Sequence, residues 1–332
     1  MNDILLSIII PVFNVEEYIT YCIDSIFKSG FDERCELILV DDGSTDKSRE
    51  MCDTYASKNV KVIHQKNSGP SAARNSGLTM ARGFYVTFVD SDDYIAEKAI
   101  TNILKALPER KTDLVFMQGD KVYPDGKIIN IGDDITRKDI EGKSKEEVLK
   151  FLKSRKKFAG SACTKLYRKS FLTENTITFP NDRRCGEDLL FVTKCIYYAK
   201  SYGALDFSYY QYRQARSGSR TSTMTAQRYM DIFLYIEEAS SFLTVGHKAI
   251  NEAATRCMSF VAYEYALQIW KLGYVDATEH AKLITILKKY RWVLKYAGSS
   301  KVKIIRLMLC LTGYRITSLL LMKAKKIAAK RL

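Results

Sequence analysis

Three carboxylates lie within four residues in the stretch Asp90-Ser91-Asp92-Asp93, directly after the apolar run of residues 84–89. Carboxylates this close together repel one another, and a divalent cation bound to a phosphorylated substrate is one arrangement that relieves the repulsion. The alternative is a polar turn that caps the next helix, since aspartate is a frequent turn and N-cap residue. The stretch alone leaves both interpretations open.

Two further acidic pairs have a spacing that suits chemistry. Asp41-Asp42 ends a second apolar run, and Glu187-Asp188 opens a segment whose apolar residues recur at helical spacing. Carboxylates at a helix N-terminus are favoured by the helix dipole in any protein. The dipole is also expected to keep the pKa of Asp188 low, which suits a base that must be ionised at neutral pH. The Glu187-Asp188 pair therefore has a structural explanation beside a chemical one.

The elements that would position these residues alternate regularly over the first 94 residues. Apolar, β-branched runs predict strands, and amphipathic segments between them predict helices. The predicted strands are 5–10, 35–40, 60–64 and 84–89, and the predicted helices begin near 19, 46 and 70. This order predicts an α/β fold with a mostly parallel, doubly wound sheet and helices on both faces. The loops that follow the strands would then converge at one edge of the sheet.

The first strand–helix turn, residues 11–16, contains no glycine. A dinucleotide-binding Gly-x-Gly-x-x-Gly and a Walker loop are both absent, so a glycine-rich phosphate cradle is not expected. A nucleotidyltransferase, which also uses paired carboxylates and a metal on such a sheet, would be expected to carry a Gly-rich, Lys- or Arg-bearing first loop. An acidic cluster with a cation is the remaining way to hold a diphosphate.

Four ordered motifs resemble the signatures of family 2 glycosyltransferases, inverting enzymes with the GT-A fold. They are Ile8-Ile-Ile-Pro-Val-Phe-Asn14, Leu39-Val-Asp-Asp-Gly-Ser-Thr-Asp46, Asn67-Ser-Gly-Pro-Ser-Ala-Ala-Arg-Asn75 and Val89-Asp-Ser-Asp-Asp93. A looser likeness continues through Ala162–Phe171 and Gly186–Phe191 to Ser219, and it fades beyond about residue 222. The likeness is to the bacterial branch that builds surface polysaccharides.

The resemblance implies a role for each candidate residue on the donor side. Asp92 is expected to be the main ligand of Mn²⁺ or Mg²⁺, with Asp90 near the ribose and the metal, and Asp93 is expected to cap the following helix. Asp42 would accept the N3–H of uracil, and Arg74 would pair with phosphate or stack on the base. The remaining expected donor-site residues are Pro11, Asn14, Glu17 and Ser91.

The resemblance also implies the reaction. A hexose or N-acetylhexosamine would pass from a UDP-sugar to a hydroxyl of a glycan acceptor, which a lipid would carry. Asp188 is expected to be the base that deprotonates that hydroxyl, with Glu187 beside it on the acceptor side. Lys165 and Tyr167 are interpreted as part of a surface loop, and residues 218–223 as a flexible loop that closes over the donor.

The net charge of +14 is concentrated at the C-terminus. Residues 280–332 carry 14 Lys and Arg and no Asp or Glu, whereas the rest of the chain is neutral. Anionic lipid and nucleic acid are the natural partners of such a surface. A nucleic-acid-binding protein is the alternative function, but basic and aromatic residues are not interleaved as an RNA-binding surface requires. We expect a lipid surface and no nucleic acid.

The domain organisation follows from these patterns. We predict a nucleotide-sugar transferase domain over 1–222, a helical region over 223–299, and a basic amphipathic tail over 300–332 that lies in the membrane interface. No signal peptide and no clean apolar run of membrane-spanning length are found. The eight scattered cysteines are interpreted as buried thiols. The expected location is the cytoplasm, peripheral on the inner face of the cell membrane.

Overall fold

The computed structural model describes residues 4–107, 111–131, 135–154, 160–183, 186–215, 277–296 and 300–329, with scattered residues between 231 and 269. The chain divides into two compact units. The first comprises Met1–Phe151 and Arg155–Ser219, and the second comprises Leu152–Ser154 and Arg220–Leu332. The predicted boundary at 222 lies just beyond the first unit, and the further division at 299 stays a prediction.

The first unit is built on one nine-stranded sheet. Its strands are β1 Leu6–Val12, β2 Cys35–Asp41, β3 Val60–His64, β4 Tyr85–Phe88, β5 Tyr94–Ile95, β6 Leu114–Val122, β7 Ile128–Asn130, β8 Lys165–Arg168 and β9 Tyr202–Arg213. The helices are α1 Ile19–Lys28, α2 Ser48–Asp53, α3 Pro70–Met80, α4 Ala99–Ala106, α5 Arg137–Ile140, α6 Lys145–Ser154, α7 Lys169–Glu174 and α8 Glu187–Tyr198. The four strands predicted before residue 90 are therefore present, each within two residues of its predicted bounds.

The strand order is β3-β2-β1-β4-β8-β6-β9-β5, with β7 added to β6. The first four strands pair in parallel, as their alternation with helices predicted. Beyond β4 the sheet becomes mixed, because β8 is antiparallel to both β4 and β6 while β9 is parallel to β6. The first half of the sheet thus follows the predicted doubly wound pattern, and the second half extends it with strands from later in the chain.

Helix α3 lies unusually close to the sheet. A Cβ at Gly77 would approach the Cγ2 of Ile9 to 2.4 Å, so only glycine fits at this contact. Ala73 and Ser71 on the same helix are also buried. The small residues of α3 therefore bring the helix, and Arg74 with it, down onto the end of β1.

The second unit contains α9 Ala277–Tyr290, a 3₁₀ turn at Arg291–Tyr296, and α10 Ser300–Ala329. Helix α10 is broken at Gly313, whose φ of 71° and ψ of −178° are not helical. Residues Ser300–Ala324 are long and apolar enough to cross a membrane by length and composition, with a mean hydropathy of 1.5. The sequence did not lead us to expect such a segment. The predicted helices over 226–243 and 249–272 and the loop at 218–223 fall largely or wholly outside the described residues.

Candidate active site

The carboxyl ends of β1, β2 and β4 lie side by side. Val12 pairs with Asp41 across β1 and β2, and Ile9 pairs with Phe88 across β1 and β4. The loops that begin after these strands carry Asn14, Asp42 and Asp90. The topology therefore brings the three loops to one edge of the sheet, as the sequence predicted.

Asn14 joins the first two of these loops. Its φ is 50°, a left-handed conformation that asparagine tolerates better than most residues. Its side-chain oxygen accepts a hydrogen bond from the backbone N–H of Thr45 at 2.8 Å. Glu17 is exposed, whereas its neighbour Glu16 accepts a hydrogen bond from the backbone N–H of Lys47. Asn14 thus shapes the loops, and contacts of Pro11, Asn14 and Glu17 with a donor stay predictions.

Asp41 is the last residue of β2 and Asp42 follows it, and the two carboxylates are bonded to different segments. Asp41 is buried, accepts from the backbone N–H of Ser44 at 2.9 Å, and lies 3.0 Å from the imidazole of His64. Asp42 accepts three hydrogen bonds, from the side chain of Gln65 and from the backbone N–H groups of Ser68 and Gly69, at 2.7–2.8 Å. A carboxylate has about four acceptor positions. One position on Asp42 therefore remains for a base N–H.

Arg74 is the centre of the site. Its side chain is only 4% exposed, and its guanidinium stacks over the ring of Phe179 at 5.3 Å. One terminal nitrogen is 2.7 Å from the Oδ1 of Asp90. The other is 3.1 Å from the Oδ1 of Asp188 and 3.7 Å from the Oε1 of Glu187. Although burial opposes its charge, Asp188 and then Asp90 hold the pKa of Arg74 well above its ordinary value. One arginine thus joins the end of β4 to the start of α8.

Asp93 does not cap a helix, so that prediction is wrong. The residue is buried and is followed by β5, and α4 begins only at Ala99. The Asp93 carboxylate accepts hydrogen bonds from the hydroxyl of Tyr210 and, at 2.9 Å, from the backbone N–H of Arg213. Burial, with Asp92 and Asp90 nearby, raises its pKa well above the ordinary value. Asp93 therefore anchors the acidic loop to β9.

Asp92 and Asp90 are the partly exposed carboxylates of this loop. The backbone carbonyl of Asp92 accepts a hydrogen bond from the Arg213 side chain at 3.1 Å. That arginine lies over the rings of Tyr18, Tyr21 and Tyr94 at 5.2–5.5 Å. No group of three or more His, Cys, Asp or Glu side chains among the described residues is arranged to hold a metal by itself. The partly exposed carboxylates of Asp90 and Asp92 are oxygen donors of the kind that a cation of the magnesium type takes together with the phosphates of its substrate.

Asp188 lies in the first turn of α8, after Gly186 with its φ of 77°. Its Oδ2 accepts a long hydrogen bond, 3.4 Å, from the backbone N–H of Ala162. The side chain is 26% exposed. Burial raises its pKa, Asp90 adds to the effect, and Arg74 opposes it. The expectation of a low pKa for Asp188 is therefore wrong, because burial is the largest influence on this carboxyl and raises its pKa.

Lys165 and Tyr167 do not form a surface loop, contrary to the sequence interpretation. Both lie in β8 and are fully buried. The ammonium of Lys165 donates to the carbonyl of Ser161 at 2.8 Å, and the Tyr167 hydroxyl donates to the carbonyl of Ala162 at 3.1 Å. A charged residue in a short apolar run looks like an edge or loop in the sequence, but here the ammonium is buried and bonded to Ser161 and Thr164 in the adjoining turn.

Comparison with known proteins decides the family. The model of glycosyl transferase family 2 matches residues 7–175, just over half of the chain. The chain is a member of this family. GlyG, a glycosyltransferase of Streptococcus pneumoniae, is 40% identical over 115 residues, which are 34% of this chain and 38% of GlyG. TarS of Staphylococcus aureus, a poly(ribitol-phosphate) β-N-acetylglucosaminyltransferase, is 32% identical over 221 residues, which are 65% of this chain and 37% of TarS. The chain thus spans well under half of either relative.

The crystal structure of TarS residues 1–349 in complex with UDP-GlcNAc resembles the whole chain. The TM-score is 0.75 at 22% identity, over 98% of this chain and 92% of that one. A mannosyltransferase from Pyrobaculum calidifontis, in complex with GDP-Man and Mn²⁺, resembles it less closely, with a TM-score of 0.53 and 16% identity. These likenesses establish the fold. The predicted GT-A architecture, a mostly parallel sheet with a C-terminal helical extension, is therefore confirmed.

Several residues that hold the acidic loop and Arg74 in place were not recognised from the sequence. Tyr210 and Arg213 hold the acidic loop from β9, and Phe179 supports Arg74. The side-chain amide of Asn75 bonds both the N–H and the carbonyl of Phe179, at 2.9 and 2.8 Å. The aromatic density of β9 was a usable signal for Tyr210. No local pattern could have linked Asn75 to a residue 104 positions later.

Proposed function

We propose that the protein is an inverting hexosyltransferase that moves a hexose or N-acetylhexosamine from a UDP-sugar to a hydroxyl of a glycan acceptor. The observation that carries the proposal is the arrangement around Arg74, which lies within 2.7 Å of Asp90 and 3.1 Å of Asp188. Inverting transfer needs a stabilised leaving group on one face of the anomeric carbon and a base on the other. Asp188 suits the second task, and Asp90 would serve the first by helping to hold a cation against the leaving diphosphate.

Asp188 is proposed as the general base. Its Oδ1 is buried against Arg74, and its Oδ2 receives one long hydrogen bond from Ala162, which leaves Oδ2 as the oxygen for an incoming hydroxyl. The raised pKa makes Asp188 a stronger proton acceptor than an exposed aspartate. Glu187, 3.7 Å from Arg74, would line the acceptor side.

Asp92 is proposed as the principal metal ligand, and Asp90 as a secondary one that is also held by Arg74. The cation, Mn²⁺ or Mg²⁺, would supply charge stabilisation to the departing diphosphate. The complex of the Pyrobaculum mannosyltransferase with Mn²⁺ supports this proposal. Asp93, Tyr210 and Arg213 fix the loop that presents Asp92, so that little reorganisation is needed when the donor binds.

UDP is proposed as the nucleotide. The UDP-GlcNAc that TarS binds supports it. Asp42 has one acceptor position left for the uracil N3–H, and Ser91, which lies between Asp90 and Asp92 in the sequence, is buried. Pro11, Asn14 and Glu17 belong to the loop on the other side of Asp42 and are proposed to border the base.

The proposed acceptor is a cell-surface polysaccharide or its lipid-linked precursor. The relatives that act on poly(ribitol-phosphate) support the polysaccharide class. Family membership favours this function over nucleotidyl transfer and nucleic-acid binding, the two alternatives raised by the sequence.

A donor screen tests the proposal. The purified protein is incubated with Mn²⁺ and each of UDP-glucose, UDP-galactose, UDP-GlcNAc and UDP-GalNAc, and the release of UDP is measured with and without acceptor polymer. We expect one donor to release UDP well above the others, and EDTA to stop the release. If the protein releases no UDP from any UDP-sugar but cleaves a GDP- or dTDP-sugar, the proposed nucleotide is contradicted.

A further inference from the structure

Helix α10 exposes an unusual number of large aliphatic side chains. Each is between 43% and 75% exposed. They are Ile304, Leu307, Leu311, Ile316, Leu319, Leu320 and Ile327. Exposed aliphatic residues occur singly on most soluble proteins, whereas a contiguous set marks an interaction surface.

These side chains form a stripe that faces away from the packed side of the helix. Ile304, Leu307 and Leu311 follow the i, i+3, i+7 spacing of one helix face. The opposite face is buried at Val302 and Leu309. After the break at Gly313, the exposed positions again alternate with buried ones, and the hydroxyl of buried Tyr314 is 2.7 Å from that of Tyr265. One side of α10 is therefore used within its own unit, and the other is presented outward.

The surroundings of the stripe are strongly basic. Lys301, Lys303, Arg306, Arg315 and Lys323 lie on the same helix and are exposed, and residues 280–332 contain no acidic residue. An anionic surface is complementary to this charge. A second copy of the same helix is not, because two such surfaces would repel each other.

We propose that the α10 stripe docks in the interface of an anionic lipid bilayer, with the helix parallel to the membrane plane. The aliphatic side chains would enter the acyl boundary, while Lys and Arg reach the headgroups. The packed face of Tyr314 and Leu309 argues against a spanning helix, which would expose all of its faces to lipid. This proposal does not rest on the proposed function.

Vesicle sedimentation tests the proposal with the full chain. We expect binding to phosphatidylcholine vesicles that contain phosphatidylglycerol, weaker binding without it, and release by alkaline carbonate. The double variant Leu307→Gln/Leu311→Gln should lower vesicle affinity at least about tenfold, since each buried aliphatic side chain contributes more than that factor. Ile128→Gln/Ile129→Gln, two changes of aliphatic residues to glutamine at exposed positions of β7, is the matched control and should bind like the wild type.

Three results would overturn the proposal. They are no sedimentation of wild-type protein with anionic vesicles, undiminished binding by the double variant, and resistance of the bound protein to carbonate. A wild-type dimer that the double variant abolishes, without vesicle binding, would instead assign the stripe to a second copy.

A separate observation concerns Lys165, whose side chain is fully buried. A buried ammonium is costly unless its protons are hydrogen-bonded. Here it donates to the Ser161 carbonyl at 2.8 Å and to the Thr164 hydroxyl at 3.3 Å, and it lies 5.7 Å above the ring of Phe116. Lys165 therefore closes the turn of residues 161–164 around its own charge.

That turn contacts the proposed base. The backbone N–H of Ala162 points to the Oδ2 of Asp188, and the Ala162 carbonyl is held by the hydroxyl of Tyr167. We infer that Lys165 and Tyr167 are positioning residues that fix the Ala162 peptide and thereby aim the Asp188 carboxylate. This inference rests on the proposed function.

The test compares Lys165→Met and Tyr167→Phe with the wild type below their unfolding temperatures. We expect kcat to fall by about 10- to 100-fold, with donor KM and UDP affinity unchanged, because a small misplacement of a catalytic group has that effect. Since the charge of Lys165 lowers the pKa of Asp188, the acid limb of the rate profile should also move to higher pH in Lys165→Met. Lys165→Arg should restore part of the rate.

Ser7→Ala is the matched control for lost stability. Ser7 is buried at the end of β1 away from the site, and its hydroxyl donates a hydrogen bond to Glu36. The variant should leave kcat and the pH profile unchanged. A wild-type kcat in Lys165→Met would overturn the positioning role alone. A wild-type protein that releases no UDP would overturn the proposed function, and with it this inference.

Discussion

The guanidinium of Arg74 on α3 lies 3.1 Å from the carboxylate of Asp188 on α8, although 114 positions separate them in the sequence. The same group is bonded to Asp90 at 2.7 Å. Arg74 therefore balances the charge of both carboxylates and fixes the distance between the two halves of the proposed site. Its burial makes the arrangement rigid, since a buried arginine cannot change partners without a large cost.

Replacing Arg74 tests this role. Arg74→Met leaves two partly exposed carboxylates without their counter-charge, so we expect the free energy of unfolding to fall by about 1–3 kcal/mol, less than for a fully buried pair, measured by urea denaturation. The loss of the positive charge of Arg74 should also raise the pKa of Asp188 further and lower the rate of transfer at neutral pH. Arg82→Met is a control, because Arg82 pairs with the buried Glu36 outside the site. It should reduce stability without changing the pH profile; equal profiles for both variants would contradict the role of Arg74.

The pH dependence of the wild type follows from the raised pKa of Asp188. A base works when ionised, so its active fraction is lost as the pH falls through its pKa. Because burial raises that pKa, the acid limb of kcat/KM should lie above about pH 4, the ordinary value of an aspartate. Rates measured across the acid range locate the limb. A rate that is constant down to the ordinary aspartate range would show that no such base limits the reaction.

Asp92→Ala tests the metal site. We expect the variant to lose transfer and to lose the Mn²⁺-dependent part of donor binding, since Asp92 is partly exposed, whereas Asp90, the other partly exposed carboxylate of the loop, is paired with Arg74. Calorimetric titration of UDP-sugar with and without Mn²⁺ measures this directly. If Asp92→Ala binds the UDP-sugar in the presence of Mn²⁺ as tightly as the wild type does, the cation is held by other residues.

Asp93→Ala tests the anchoring of the acidic loop. The change leaves the buried hydroxyl of Tyr210 and the N–H of Arg213 without their acceptor, so stability should fall by about 1–3 kcal/mol. Asp93→Asn keeps one acceptor oxygen and should cost less. Thermal unfolding of the two variants makes the comparison, and an equal loss in both would show that the hydrogen bonds are not what stabilises the loop.

Much of the first half of the molecule could be predicted because its signals are local. The apolar runs that became β1 to β4 are continuous, and their alternation with helices correctly indicated parallel pairing. The convergence of Asn14, Asp42 and Asp90 followed from topology alone. These inferences need only the pattern of neighbouring residues and the geometry of a parallel sheet.

The rest depended on contacts between distant segments. Asp93 looked like a helix cap because the donors of its hydrogen bonds, Tyr210 and Arg213, lie more than 110 residues away in the sequence. Lys165 looked exposed because its charge is satisfied inside a turn. The pKa of Asp188 was misjudged because the helix end is visible in the sequence and the burial is not. Each error concerns the environment of a residue rather than its type.

The most direct measurement compares Asp188→Asn with the wild type in two assays, UDP release from the preferred UDP-sugar and UDP-sugar affinity by calorimetry. The account predicts that the variant binds the donor as tightly as the wild type and loses at least about 100-fold in the rate of transfer, the usual contribution of a general base. Transfer by Asp188→Asn at a rate near that of the wild type would contradict it.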